Sequence, residues 1–259
     1  MSTAQRPLRA LTHRPSPNMQ RCERTFVGDE MIDYPRALQQ HAAYEDALRA
    51  HGAEVTTLDV NLASPDCVFV EDTAVVLDEV AIIMSMGAVS RRTEPAGIEP
   101  ALRAHRPVAR VVLPGMIDGG DVVRSERSLY VGLSSRTNTA GIRAFRDIVR
   151  LYGYTVTAIP VHGCLHLKSG CSSLPDGRFL VNARWIDASP LKSNILEVAT
   201  DEPSAGDVLV IGDRIIASNA FSGSIDLLRS NGFAVTPVAV SEFAKAEGGV
   251  TCLSLIFES

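Results

Sequence analysis

Concentrated positive charge is absent from this sequence. It contains no run of basic residues, and 25 Lys and Arg against 30 Asp and Glu leave a formal net charge of −5. A nucleic-acid partner, which needs a concentrated basic face, is therefore not expected. Long apolar runs are also missing. No stretch of about 18 such residues occurs, so no membrane-spanning helix is expected. Met1 to Pro15 holds arginines but no apolar core, unlike a secretory signal. Aromatics are scarce, at 5%. The five cysteines are odd in number and lack the spacing of a disulfide framework. They are expected as free thiols in a reducing cytoplasm. What remains is ordinary: 46% apolar and 21% charged over 259 residues, enough to bury a core without staples.

A degenerate repeat organises the chain. Arg49-Ala50-His51-Gly52-Ala53-Glu54-Val55-Thr56, Arg150-Leu151-Tyr152-Gly153-Tyr154-Thr155-Val156-Thr157 and Arg229-Ser230-Asn231-Gly232-Phe233-Ala234-Val235-Thr236 all read R-x-x-G-x-x-V-T. Each has the grammar of a helix end, a glycine cap and a β-branched strand. The helix before the first carries Pro35 in its opening turn, with Leu38, Ala42 and Leu48 near one face. Ile142, Phe145, Val149 and Tyr152 make a similar stripe, as do Ile225 and Leu228. A second pattern, an acid before an apolar strand, recurs at Glu71-Asp72-Thr73-Ala74-Val75-Val76, Gly119-Gly120-Asp121-Val122-Val123 and Ala205-Gly206-Asp207-Val208-Leu209-Val210. Weaker units lie near Arg103 to Val111 and Leu191 to Val198. Counting them gives roughly five helix-plus-strand units of about 40 to 55 residues. A solenoid favours near-identical stacked repeats. Degenerate repeats with unequal loops suit a closed ring, and a doubly wound sheet is the alternative. With no linker or low-complexity segment, residues 1–259 are read as one domain.

Several segments could carry chemistry. Asp66, Glu71 and Asp72 flank a short apolar stretch read as a strand, on which Asp66 and Asp72 share a face. Acids converging at one strand end suit a planar guanidinium, or they form a solvated turn. Asp118-Gly119-Gly120-Asp121 joins acids to glycines that admit close backbone approach. On a strand, His162, Cys164 and His166 would point one way, as zinc ligands do. No CxxC or HExxH accompanies them, so a metal is not expected. Cys252 follows paired glycines and precedes an apolar strand. A cysteine, a histidine and acids spread along one chain make the set used in nucleophilic catalysis, although a buried cysteine is more often inert.

Taken in order, Pro65-Asp66-Cys67-Val68-Phe69-Val70-Glu71-Asp72, Ser90-Arg91-Arg92, Asp118-Gly119-Gly120-Asp121-Val122, Ser135-Arg136-Thr137-Asn138, Leu165-His166-Leu167-Lys168-Ser169 and Gly249-Val250-Thr251-Cys252 resemble the dimethylarginine dimethylaminohydrolases of the guanidino-modifying (pentein) superfamily. The resemblance runs from about residue 30 to the end. It implies a five-bladed α/β propeller and a cysteine-dependent hydrolysis of N-omega-methylated arginine to citrulline and an alkylamine. By the same resemblance Cys252 is the nucleophile, His166 the general acid/base and Asp118 its carboxylate partner. Asp66, Glu71, Asp72, Arg91 and Arg136 fall at substrate-contacting positions, and Ala246 at one that acts through its backbone. No metal or organic cofactor is implied, and a homodimer is allowed. Ser204-Ala205-Gly206 stands where the family has an Ala-Ala-Asn-like stretch, and the lid segment from Ser16 to Arg24 follows no familiar pattern. Alternative readings are an arginine deiminase, an agmatine deiminase, an amidinotransferase, or a non-catalytic binding propeller.

Overall fold

The computed structural model describes residues 6–191 and 195–259. Residues 1–5, part of the stretch read as lacking a leader, and 192–194, inside the weakest repeat unit, lie outside the described residues.

Elements in chain order are β1 (Leu8–His13), α1 (Tyr34–Ala50), β2 (Glu54–Leu58), β3 (Ala74–Val76), β4 (Ala81–Ile83), α2 (Glu94–Arg103) and β5 (Val108–Arg110). There follow β6 (Val122–Ser125), β7 (Ser128–Leu133), α3 (Thr139–Val149), β8 (Thr155–Pro160), α4 (Leu167–Gly170), β9 (Cys171–Ser173), β10 (Phe179–Val181) and β11 (Ile195–Glu197). The chain ends with β12 (Val208–Ile211), β13 (Arg214–Ser218), α5 (Ser222–Ser230), β14 (Ala234–Val238), α6 (Ser241–Ala244) and β15 (Ser254–Glu258).

The strands form five separate three-stranded sheets, ordered β3-β4-β5, β6-β7-β8, β9-β10-β11, β12-β13-β14 and β15-β1-β2. Every sheet repeats one plan. An antiparallel pair is followed by a parallel third strand. A parallel partner demands a crossover, which α1, α2, α3 and α5 supply. In the β9–β11 sheet the described crossover holds only a short 3-10 turn, Ser189–Leu191. The first strands of all five sheets line one central cavity of about 260 Å³. The molecule is thus a five-bladed α/β propeller. Its ring is closed by β15 pairing with β1, from Leu8 opposite Glu258 to Thr12 opposite Ser254.

The repeat grammar holds locally. Gly52, Gly153 and Gly232 adopt φ of 88°, 81° and 91°, the left-handed region where a side chain is disfavoured. Asp33 caps α1 by accepting the Arg36 N–H at 3.1 Å, with Pro35 in the first turn. The buried face of α1 differs from the expected stripe. It is Ala37, Gln40, His41, Tyr44, Glu45 and Leu48, whereas Ala42 is exposed. Polar residues take the inner face because partners await them. Gln40 bonds Ser241 and the Glu242 backbone, and Glu45 accepts from Thr12 and Thr57. The face of α3 is the expected one, with Ile142, Phe145 and Val149 buried.

Candidate active site

Each first strand is preceded by a short turn, and these turns carry the polar groups of the ring's centre. The 3-10 turn Val70–Thr73 before β3 bears Glu71 and Asp72. Asp118 caps the 3-10 turn Gly119–Asp121 before β6. His166 caps α4 before β9. The 3-10 turn Pro203–Gly206 leads through Asp207 into β12, and Cys252 lies two residues before β15. One position of a five-fold plan is therefore filled by acids, an imidazole and a thiol.

His166 is 4% exposed and lies between two carboxylates. Its Nε2 is 3.1 Å from Asp118 Oδ2 and its Nδ1 is 3.7 Å from Asp72 Oδ1. Asp118 is fixed in turn by the Gly87 N–H at 2.8 Å. Asp121 orients the histidine segment by accepting the Leu167 N–H at 2.9 Å, while the Ser134 and Thr137 hydroxyls fill its other oxygen. Gly120 is required for this approach, since a Cβ there would lie 2.8 Å from His166 Nδ1. Burial disfavours the imidazolium, but Asp72, the hydrogen bond to Asp118 and the charge of Asp121 outweigh it, raising the pKa to about 9. At neutral pH His166 is a proton donor.

Cys252 is clipped to the same Glu71–Asp72 turn. The Glu71 N–H donates to the Cys252 carbonyl at 3.2 Å, and the Thr251 hydroxyl donates to Glu71 Oε2 at 2.9 Å. Tyr44, on α1, donates its hydroxyl to the Val250 carbonyl at 2.8 Å and meets Ser254 Oγ at 2.7 Å, bracing both sides of the cysteine. The Gly249 N–H points at Cys252 Sγ from 3.4 Å, and Asp207 Oδ2 is 4.0 Å from it. Burial pushes the thiol pKa up, and Asp207, Glu71 and Asp72 push it further. These groups hold the sulfur as a thiol at neutral pH.

The remaining sequence-predicted residues divide by whether their charge is already used. Glu71 accepts Lys168 Nζ at 2.6 Å. Arg91 is buried and fully engaged: Nη1 donates to Asp72 Oδ2 at 2.6 Å, Nη2 to Glu94 Oε2 and the Phe69 carbonyl, each at 2.9 Å. Arg136 is buried too, yet its guanidinium has no salt-bridge partner among the described residues. Asp66 accepts the Glu23 N–H at 3.2 Å, so it meets the loop that covers the site. Burial raises its pKa to about 6. Ala246 is buried in the turn after α6, its N–H bonded to the Phe243 carbonyl.

That covering loop runs through residues 22–32. Its N–H groups at Thr25 and Val27 donate to the Glu247 carboxylate at 2.9 and 3.0 Å, with Phe26 donating between them. Beneath it lies a cavity of about 620 Å³ whose wall includes Phe26, Leu165, Trp185, Phe221, Asp207 and Gly249.

Two local expectations are corrected. Residues 64–72 form turns and a 3-10 helix, not a strand, because Arg91 gathers the carbonyls of Asp66 and Phe69 around one guanidinium. Residues 162–166 are not a strand either: β8 stops at Pro160, His162 is exposed, and Cys164 bonds the His166 carbonyl. His162, Cys164 and His166 therefore do not converge. The group whose ligand atoms approach within 4.8 Å is Asp72, Asp118 and His166. Their facing atoms are already committed to Arg91, Gly87, Gly120 and one another. Asp207, Lys168 and Glu247 are the site residues that sequence reasoning passed over. Asp207 stood in the acid-before-strand repeat, read there as architecture alone.

Residues 18–169 match the family model described as N,N dimethylarginine dimethylhydrolase, eukaryotic. The chain is 41% identical over 248 residues to the N(G),N(G)-dimethylarginine dimethylaminohydrolase of Streptomyces coelicolor, covering 95% of this chain and 96% of that protein. A crystal structure of the Pseudomonas aeruginosa enzyme, a cysteine-to-serine variant complexed with citrulline, superposes with a TM-score of 0.90 at 29% identity, covering 96% and 98% of the two chains. A dimethylarginine dimethylaminohydrolase with its histidine replaced by glycine, solved as an adduct with S-methyl-L-thiocitrulline, gives 0.91 at 30% identity, covering 96% and 99%.

Proposed function

The chain belongs to the dimethylarginine dimethylaminohydrolase family, and from that premise we propose that it hydrolyses N-omega-methylated arginine to citrulline and an alkylamine through a thiouronium intermediate on Cys252. The observation that supports the proposal is that the Cys252 and His166 segments share one turn: Glu71 clips the cysteine segment and Asp72 faces the imidazole. The citrulline and thiocitrulline complexes of the relatives agree with such a substrate.

In this mechanism a cationic guanidinium enters among carboxylates and lowers the thiol pKa by its charge. Orientation over the sulfur removes several kcal/mol of barrier. As the cation binds, the thiol loses its proton to solvent; the thiolate attacks the guanidinium carbon, and His166, protonated at rest, gives its proton to the departing amine. The neutral imidazole then takes a proton from water. The hydroxide adds to the thiouronium carbon, the thiolate leaves, and loss of the hydroxyl proton, which restores the thiol, gives the ureido product. Asp118 holds the imidazole and favours its cationic form. Arg136, a buried cation without a salt-bridge partner among the described residues, clamps the substrate carboxylate. This favours an amino-acid substrate over agmatine, which lacks that group. The ring closed by β1 and β15 supports reading residues 1–259 as one working unit, and five free cysteines suit a reducing cytoplasm. No described helix is long and apolar enough to cross a membrane.

The test is turnover of N-omega-methyl-L-arginine by Cys252→Ala and His166→Ala, followed by ureido product. Both variants are expected to lose at least about a thousandfold in rate. Most activity surviving in either would end the proposal.

A further inference from the structure

We propose that Asp207 is a substrate-contacting residue that accepts the guanidinium beside the nucleophile, a role that rests on reading the site as one for guanidino substrates. Most other buried acids of the site have a cation or several donors; Asp66 has neither, but both its oxygens share the Glu23 N–H under the covering loop. Glu71 has Lys168 and Thr251, Asp72 has Arg91 and the Gly120 N–H, and Asp118 has His166 and the Gly87 N–H. Asp121 has two hydroxyls and an N–H. Asp207 differs. Its Oδ1 accepts the Thr251 N–H at 3.0 Å, and its Oδ2 has only the Cys252 thiol, 4.0 Å away.

Asp207 is 8% exposed and has no cationic partner among the described residues. A buried carboxylate without a counter-charge is costly unless a ligand completes it. It also lines the cavity of about 620 Å³. A planar cation centred over Cys252 Sγ lies within hydrogen-bonding reach of Oδ2, which can grip its N–H groups. Glycine at 249 makes the placement possible, because a Cβ there would sit 1.8 Å from Asp207 Oδ2. Burial and the charge of Glu71 raise the Asp207 pKa to about 7, so its carboxyl is poised to take its charged form when a cation arrives. Arg136, buried and without a salt-bridge partner among the described residues, complements the other end of an arginine-like molecule.

The same placement gives Asp207 a second effect. As a carboxylate Asp207 opposes thiolate formation, and a guanidinium beside it cancels that charge. Asp207 is thereby one source of the thiol's response to a bound cation.

The experiment compares wild type with Asp207→Asn, and with Asp207→Ser as a second variant that keeps an acceptor for the Thr251 N–H. One arm measures kcat/KM for N-omega-methyl-L-arginine, expected to fall about 10- to 100-fold, the span of a lost charged hydrogen bond. The other measures alkylation of Cys252 by neutral iodoacetamide against pH, with and without low-millimolar guanidinium chloride. Without the cation, the variants are expected to react from lower pH than wild type. Half-maximal response to guanidinium should need at least about ten times more salt. An unshifted alkylation profile together with an unchanged guanidinium response would overturn the assignment, as would kcat/KM within twofold of wild type. A wild-type chain that turns over no methylated arginine would instead sink the functional reading, leaving the alkylation arm to decide Asp207. Since Asn removes a buried charge, Asp207→Asn is also expected to melt higher than wild type at pH 8 by a few degrees.

Discussion

The Glu247 carboxylate accepts the backbone N–H of Thr25 at 2.9 Å, across 222 residues of sequence. It takes the next two N–H groups of the loop as well. Glu247 adopts φ of 63° without being glycine, a conformation that surrounding structure must hold in place. It lies five residues before Cys252. The loop over the site is therefore tied to the same turn that leads to Cys252.

Removing that tie should loosen the loop without unfolding the ring. In Glu247→Ala, amide exchange over residues 22–31 is expected to speed up at least tenfold, with KM rising about 3- to 10-fold. Hydrogen exchange with mass readout and steady-state kinetics check this. Unchanged exchange across the loop would show that Glu247 is not its anchor.

The pH response of His166 has a definite sign. Its folded pKa, about 9, lies above the usual 6.5. Its contribution to stability is complete below about pH 6.5 and disappears as pH climbs through 9. Comparing wild type with His166→Gln, the unfolding free-energy difference should shrink by up to about 3 kcal/mol between pH 6 and 10, from a shift of 6.5 to about 9. Denaturant melts at a series of pH values read it directly. In Asp118→Asn the imidazole titration followed by NMR should move toward lower pH. A midpoint unmoved from wild type would remove Asp118 as a cause.

Tyr44 braces the cysteine turn from α1. Tyr44→Phe leaves the Val250 carbonyl and the Ser254 hydroxyl without that partner in a buried setting. The expected cost is about 1–3 kcal/mol in urea unfolding, together with a lower kcat because residues 250–254 flank Cys252. Loss of stability with kcat untouched would confine Tyr44 to a packing role.

Much of this was legible beforehand for a physical reason. The turn from helix to outer strand needs left-handed backbone, so Gly52, Gly153 and Gly232 announce three blades. The blade containing β5 hides because Arg106-Pro107 takes the place of that glycine. In the blade containing β11 no long helix precedes the strand among the described residues. The segment around Asp66 and Asp72 misled because its apolar run is folded around Arg91, a partner about twenty positions away that no local pattern encodes. Asp207 was visible as part of a repeat. The role proposed for it follows from the lack of a salt-bridge partner among the described residues, and that is a three-dimensional property. Arg91 and Arg136 look alike in sequence, and only burial beside Glu94 and Asp72 separates the occupied guanidinium from the available one.

The pairing of β15 with β1 has one more implication. Cys252 sits immediately ahead of the strand that docks last along the chain onto the first. Until those distant segments meet, the sulfur has neither Glu71 nor Tyr44 to place it. A chain still emerging, or clipped anywhere that lets the circle spring open, would carry a slack and unschooled thiol. A correctly placed thiol in this architecture is thus a certificate of completed assembly, issued only when the two strands have joined.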